Sequence, residues 1–451
     1  MKHTIKSFVV FFIVFTFINA CKKDPSNPDP TQVSHLGDAT TFDAKIAEDW
    51  INIFRDIVKT QPMNPPRAAR LYAYAGIALY ESVVDGIKGN KSLQGQLNGF
   101  ALNSIPANTD SLDYAIVVNE ALFTLAKCDT IIPSLSAQNI LNIQTLHTQL
   151  LTAKAGLVTD SILAKSKARG VVVANAIMKL AATDNFLTVK TQNYIVPPRD
   201  GAHPWYWEPT DALHLDPAEP FWGQIRPFVM DSAAQFEIPQ QVLFSADTSS
   251  DFGHQAFEVY TTVNNRTNSQ NDIVLWWRDA TGTQTPAGHW MGILQYIIHQ
   301  KGYKLGKAAE IYALTGIATS DAFVACWKTK YKYNLLRPET YIKSYISGSW
   351  STGQGSDPTP PFPEYPSGHS VCSGAADKAL TNYLGSFTFT DSINFVSFGY
   401  APRSFASFTA AANEAGISRL YGGIHYREAI ESGLNEGRNI GQYVFDKIKF
   451  K

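Results

Sequence analysis

Three short segments in the last third of this 451-residue chain have the residue types to hold a small, highly charged anion. In Lys330-Tyr-Lys-Tyr-Asn-Leu-Leu-Arg337-Pro338 two cations stand seven residues apart. Seven is close to two helical turns, so a continuous helix would put both on one face. Pro338 disfavours helix at Arg337 and marks its end. Alone, the segment also reads as a solvated basic helix end, because Lys328 and Lys332 cluster with Lys330. The second segment, Pro360 to His369, is a proline-rich approach ending at Ser367, a good N-cap. A helix follows, with Val371, Ala375, Ala379 and Tyr383 on one stripe. The free N–H groups of Gly368 and His369 would form an anion site. Gly368 permits close approach, and His369 suits proton transfer. Alone, this is an ordinary capped helix with a surface histidine. In the third, Ser418-Arg419-Leu-Tyr-Gly-Gly-Ile-His425, the glycine pair breaks one helix after Arg419 and a new one starts near His425. Alone, it is a packing turn. Together the three supply one lysine, two arginines, a Ser-Gly helix start and two histidines, which suit a tetrahedral oxyanion. One histidine can attack or ligate the central atom and the other can move a proton.

Lys-x6-Arg-Pro, Pro-Ser-Gly-His and Ser-Arg-x5-His resemble the three signature motifs shared by vanadium-dependent haloperoxidases and type 2 phosphatidic acid phosphatases. The resemblance spans about 330–425 and implies roles residue by residue. Lys330, Arg337, Ser367, Gly368 and Arg419 would bind vanadate oxygens. His425 would be the axial vanadium ligand, and His369 the acid–base residue for peroxide protons. Lys330 would also polarise bound peroxide. In a phosphatase His425 would be the nucleophile and His369 would protonate the leaving group. Trp327 and Phe362 match positions lining the halide side in chloroperoxidases, where bromoperoxidases tend to carry a histidine for Phe362. These two positions favour the haloperoxidase branch. Glu364 departs from the pattern, placing a carboxylate close to His369 where a small residue is usual, so halide preference stays open. Asp272, Asp279 and Asp321 are unranked candidates to orient Arg419 and His425.

The elements positioning these residues read as helices. Helical periods run over 44–59, 66–87, 111–127, 135–155 and 160–182, then over 251–264, 270–279, 287–300, 304–335, 367–385, 403–418 and 426–447. Between them residues 186–250 form an irregular excursion rich in Pro and Trp, including Trp205, Trp207 and Trp222. The expected fold is all-α, one or two helical bundles of the haloperoxidase and acid phosphatase type. Its regions are an N-terminal helical part over 39–185, the excursion over 186–250 and a catalytic helical part over 251–451.

Lys2 and Lys6 precede an apolar stretch too short to span a bilayer, and Ile18-Asn19-Ala20-Cys21 resembles a bacterial lipobox. Residues 1–20 are therefore expected to be a signal peptide, Cys21 a lipidation site and 21–38 a flexible tether. That implies an exported lipoprotein, anchored at the outer membrane or held in the periplasm or at the cell surface, with the lipid as its membrane contact. Lys+Arg 38 against Asp+Glu 39 excludes a broadly basic nucleic-acid binder. Cys128, Cys326 and Cys372 lack metal-ligand spacing, and His203 and His214 beside Asp211 make a weak zinc candidate. His254 and Glu258, one turn apart, read as a surface pair. Vanadate is the expected cofactor, with no haem, flavin or zinc. Peroxide, halide and an organic acceptor are the expected small molecules, or a phosphate ester for a phosphatase using a phosphohistidine at His425. A third possibility is a non-catalytic lipoprotein binding glycans through Trp205, Trp207 and Trp222, against which stands simple packing of these aromatics.

Overall fold

Short polar side chains set where the helices begin. Asn64, Asp113, Ser136, Thr159, Ser250 and Ser407 each accept the backbone N–H three residues on, and the helices start directly after them. The computed structural model describes residues 37–451, apart from 62, 212–215, 281 and 356. The leader 1–20, Cys21, most of the tether and His214 lie outside the described residues. No helix among the described residues is long and apolar enough to cross a membrane.

Among the described residues the architecture is all-α but for one hairpin of two three-residue strands, joined through a short helix. At its centre is the helix Leu305–Tyr333, buried along nearly its whole length. It packs against Pro65–Val83, which is buried on every face, and against Gly368–Leu384. A helix apolar all round is stable only inside other elements. Tyr114–Ala126 and Asp160–Ala182 pair on one side, with Ala137–Lys154 outside them. Arg427–Lys447 closes the other side against Gly368–Leu384.

The excursion joins this body rather than standing apart, and the described residues form one compact unit. Asp321, on the central helix and fully buried, accepts the N–H groups of Phe228, Val229 and Met230 at 2.6, 2.9 and 3.2 Å. Burial pushes its carboxyl up to about 6 although the three N–H groups pull it down. Asp321 therefore anchors a loop and does not orient Arg419 or His425. Trp207 and Trp222 are buried and Trp205 packs against the core, so these aromatics fill space and leave no open stacking platform. Glu258 pairs with Arg427, not with His254.

Several stretches differ from the sequence reading, among them short helices at Phe186–Val189 and Ile393–Phe398. Arg403–Phe405, expected in a helix, is a strand antiparallel to Phe389–Asp391, and the following helix waits for its Ser407 cap. Pro338–Tyr345 is an additional helix, because Pro338 takes a first-turn position where its missing N–H costs nothing.

Gly368–Leu384 and Arg427–Lys447 touch backbone to backbone. A Cβ added at Gly437 would lie 2.1 Å from the Val371 carbonyl oxygen, and one at Gly441 2.3 Å from that of Ala375. This close crossing brings the start of one helix, at His369, beside the start of the other, just past His425. Gly437→Ala gains about 1 kcal/mol of helix propensity. The overpacking at a rigid backbone contact costs roughly 1–3 kcal/mol or more. Thermal unfolding is therefore expected to show a lower midpoint for Gly437→Ala, whereas an unchanged or higher one would mean the helices are free to separate.

Candidate active site

Lys330 occupies the last turn of the central helix, which ends when Asn334 turns left-handed at φ 48°. Residues 335–337 are extended and Arg337 is the N-cap of the next helix. The two cations thus do not share one helix face. They meet by chain reversal, both against the Phe362 ring, whose centroid is 5.1 Å from the Lys330 Nζ and 4.8 Å from the Arg337 guanidinium carbon. Arg419 arrives from the end of Phe408–Tyr421, where Gly422 caps the helix and Gly423, at φ 76°, turns the chain toward His425.

All three cations are at most 1% exposed. Lys330 Nζ donates to the carbonyls of Pro363, Glu364 and Pro366 at 2.9, 2.9 and 2.6 Å. Arg337 donates to the carbonyls of Phe362 and Ile424, both at 2.9 Å. Arg419 donates to Ser418 Oγ at 2.8 Å and the Trp277 carbonyl at 2.5 Å. Carbonyl oxygens satisfy these protons but bring no formal charge. Among the described residues none of the three cations forms an ion pair with a carboxylate. Burial consequently pushes Lys330 down to about 7, and Arg337 and Arg419 to about 10. Buried, unneutralised positive charge is costly unless an anion completes it.

The cationic cluster borders a cavity of about 210 Å³ whose walls include Phe323, Trp327, Phe362, Gly368, His369, Arg419 and His425. Lys330, Arg337 and Ser367 stand behind the wall. Ser367 caps Gly368–Leu384 through a long 3.4 Å bond from Ser370 N–H. The N–H groups of Gly368 and His369 are first-turn donors without a partner inside their helix. A Cβ at Gly368 would sit 3.4 Å from the Trp327 ring, so its absence leaves a cradle at the helix start. The Trp327 and Phe362 rings pack with centroids 4.9 Å apart and planes tilted by 50°. The Trp327 indole N–H is spent on the Ala218 carbonyl at 3.0 Å, a residue of the excursion.

His425 Nδ1 lies 2.8 Å from Glu364 Oε1, which also accepts the Tyr426 N–H at 2.9 Å. The ring proton therefore sits on Nδ1, and Nε2 keeps its lone pair, facing an Arg337 N–H at 3.1 Å. Burial, then Arg337 and Lys330, hold His425 well below the usual histidine range, so the ring is neutral. Glu364 is thus the partner of His425 and not a neighbour crowding His369. It is fully buried and does not line the cavity.

His369 Nε2 is buried without a hydrogen-bond partner and lies 3.8 Å from Asp279 Oδ2. Burial, then Arg419 and His289, hold it well below the usual range. Asp279 binds His289 Nδ1 at 2.9 and 3.1 Å, and His289 Nε2 meets Asp391 at 2.8 Å. Of the three aspartates named from sequence, Asp279 alone reaches the site, because Asp272 is exposed and Asp321 holds the loop. His289 and Asp391 were not legible. His289 sits in an apolar helical run and Asp391 about a hundred residues away, with no local motif joining them.

An anion that neutralises the three cations should stabilise the folded chain. Inorganic phosphate at a hundred times its dissociation constant is worth about 2.7 kcal/mol. Phosphate is expected to raise the thermal midpoint of the native chain and to do so much less for Lys330→Met; no shift in either would contradict an anion site here. His289 gives a pH signature. Burial alone would push its imidazole down, but Asp279 and Asp391 reverse this and raise it to about 10. The folded state then holds a proton that the unfolded chain releases near pH 6.5. This stabilisation is complete below pH 6.5 and is lost as pH rises toward 10. In urea unfolding, the stability advantage of the native chain over His289→Gln is expected to shrink as pH rises across that window; a constant difference would contradict the raised proton affinity of His289.

The profile of the VCPO second helical-bundle domain matches residues 310–357 and 347–450. The vanadium chloroperoxidase of Curvularia inaequalis is 30% identical over 87 residues, 17% of this chain and only 14% of that protein's length. Among solved structures, the first bacterial vanadium-dependent iodoperoxidase superposes with a TM-score of 0.82 at 35% identity, over 90% of this chain and 97% of the other. The apo form of a bacterial vanadium-dependent chloroperoxidase has a TM-score of 0.62 at 15% identity, over 86% of this chain and 93% of the other, a likeness of fold alone. With a 35% identical relative aligned over nearly its full length, the chain belongs to the vanadium-dependent haloperoxidase family.

Proposed function

We propose that the chain oxidises halide with hydrogen peroxide on a bound vanadate, with iodide as the preferred halide. The observation that carries this reading is one cavity lined by Arg419, His425, His369 and aromatic rings, with the buried cations Lys330 and Arg337 directly behind its wall and His369 Nε2 without a hydrogen bond. The donor set fits vanadate. It offers three cations with no carboxylate bonded directly to them, a helix start with a glycine cradle, and a nitrogen lone pair at His425 Nε2. Bound vanadate would supply the Lewis-acid centre that activates peroxide.

The chain's own residues do the rest. Glu364 fixes the Nδ1–H form of His425 and so keeps Nε2 available as ligand. Lys330, Arg337 and Arg419, with the N–H of Gly368, would hold the oxygens. His369, neutral and with Nε2 free, is set to accept the proton that peroxide gives up. Phe323, Trp327 and Phe362 exclude water on the halide side, and with its indole N–H committed to Ala218 this wall offers a small hydrated anion little in exchange for its hydration shell. Iodide is large, weakly hydrated and the most easily oxidised of the three halides tested below. The relative of known structure at 35% identity is itself described as an iodoperoxidase, which supports the same choice.

The test is a paired assay on purified protein loaded with orthovanadate, measuring peroxide-dependent oxidation of iodide, bromide and chloride beside phosphate-ester hydrolysis by the vanadate-free chain. Iodide oxidation is expected to exceed bromide, with chloride at background. His369→Ala should lower iodide turnover by roughly 100-fold or more. Ester hydrolysis without vanadate-dependent halide oxidation would overturn the reading in favour of a phosphatase.

A further inference from the structure

A buried chain of charges runs from His369 toward the hairpin at the edge of the fold, and the proposed chemistry uses only its first link. Asp279 lies in the connection after Asn268–Trp276 and has a left-handed backbone, φ 40°, unusual for a residue other than glycine. Such a conformation persists where surrounding contacts over-determine it. Both carboxylate oxygens of Asp279 lie against His289 Nδ1. His289 is wholly buried on Thr285–Lys301, with the Trp277 ring stacked on it at 4.5 Å. Its Nε2 faces Asp391 Oδ2 at 2.8 Å, the oxygen that also accepts the Trp276 indole N–H at 2.8 Å. Asp391 ends the strand Phe389–Asp391, and its other oxygen accepts the Ile393 N–H.

Both ring nitrogens of His289 face carboxylate oxygens. Both contacts are hydrogen bonds only if the cluster holds one proton more than a neutral ring and two carboxylates would carry. The unit Asp279–His289–Asp391 then bears a single negative charge. Its near end, Asp279 Oδ2, is 3.8 Å from His369 Nε2. The same charge acts on Arg419, whose guanidinium is bonded to the Trp277 carbonyl in the adjoining backbone.

We propose that His289 and Asp391 are positioning residues that clamp Asp279 beside His369 and Arg419, so that the acid–base histidine and one anion-holding arginine share a fixed carboxylate. The role of His369 rests on the proposed peroxidase reading, but the clamp itself is testable without vanadate. Its geometry also explains why a small surface hairpin is tied into the core: the hairpin delivers Asp391. The groups facing His289 are Asp279, Asp391, Trp276 and Trp277, with His369 beyond Asp279.

The first measurement uses the native chain without vanadate, labelled with nitrogen-15 histidine. Both ring nitrogens of His289 are expected to carry protons between pH 6 and 8; a neutral ring in one tautomer would overturn the proposal. The second compares Asp391→Asn with Trp276→Phe. Both disturb the same core, but Trp276→Phe leaves the carboxylate on His289. Asp391→Asn is expected to weaken vanadate binding and to lower turnover by about tenfold or more, as loss of an outer-shell partner does. The KM for halide should stay within about twofold, because the halide wall is elsewhere. Trp276→Phe should keep more than half the native turnover. Equal losses in the two variants would make the clamp merely structural and contradict the proposal. Should Asp391→Asn fail to fold, the nitrogen measurement on the native chain decides. Should the native chain oxidise no halide, weaker vanadate binding by Asp391→Asn would still support the clamp while the peroxidase reading falls.

Discussion

Positive charge buried with no carboxylate bonded directly to it is the constraint around which this site is arranged. Lys330, Arg337 and Arg419 have almost no contact with solvent, and backbone carbonyls, the Ser418 hydroxyl and the His425 ring, not acids, receive their protons. Carbonyl dipoles solvate an ammonium or guanidinium but leave the formal charge in place. The depressed proton affinity of all three shows what that costs. A tetrahedral anion bound among them would relieve the three at once.

The fold meets this demand through helix ends. Lys330 ends one helix and Arg337 begins the next. Gly368 and His369 begin a third, and Arg419 and His425 flank the turn between two more. Helix ends carry unpaired backbone groups, so they suit ligands, but they must be held closely together. The backbone contact at Gly437 and Gly441 does this for the histidine pair. Asp321 does it for the excursion, which in turn supplies Ala218 to hold the Trp327 ring. Much of the molecule far from the cavity therefore serves to fix a few ångströms within it.

The motif residues were legible because each lies within a short segment with its own punctuation: Pro338, the Ser367 cap and the Gly422-Gly423 break. The helical bundle was legible because clear apolar stripes run along the outer helices Lys45–Thr60 and Arg427–Lys447 and long runs without strand alternation fill the rest. Helix continuity between Lys330 and Arg337 was misread. Asn334 can turn left-handed at little cost and Pro338 favours a fresh start, so the chain reverses where spacing alone suggested two more turns. Glu364 was visible but assigned to the wrong histidine, since its neighbour in sequence is His369 while its neighbour in space is His425. His289 and Asp391 carried no signal. Buried charge clusters assembled from distant segments have neither period nor motif, and only the packed chain brings them together.

The most direct test is a crystal structure of the vanadate-loaded chain with anomalous scattering collected at the vanadium absorption edge. The expected result is one anomalous peak bonded to His425 Nε2, with oxygens within hydrogen-bonding distance of Lys330, Arg337, Arg419 and the Gly368 N–H. A peak elsewhere, or no peak with Lys330 still bonded to its three carbonyls, would contradict the claim that these cations are arranged for that anion.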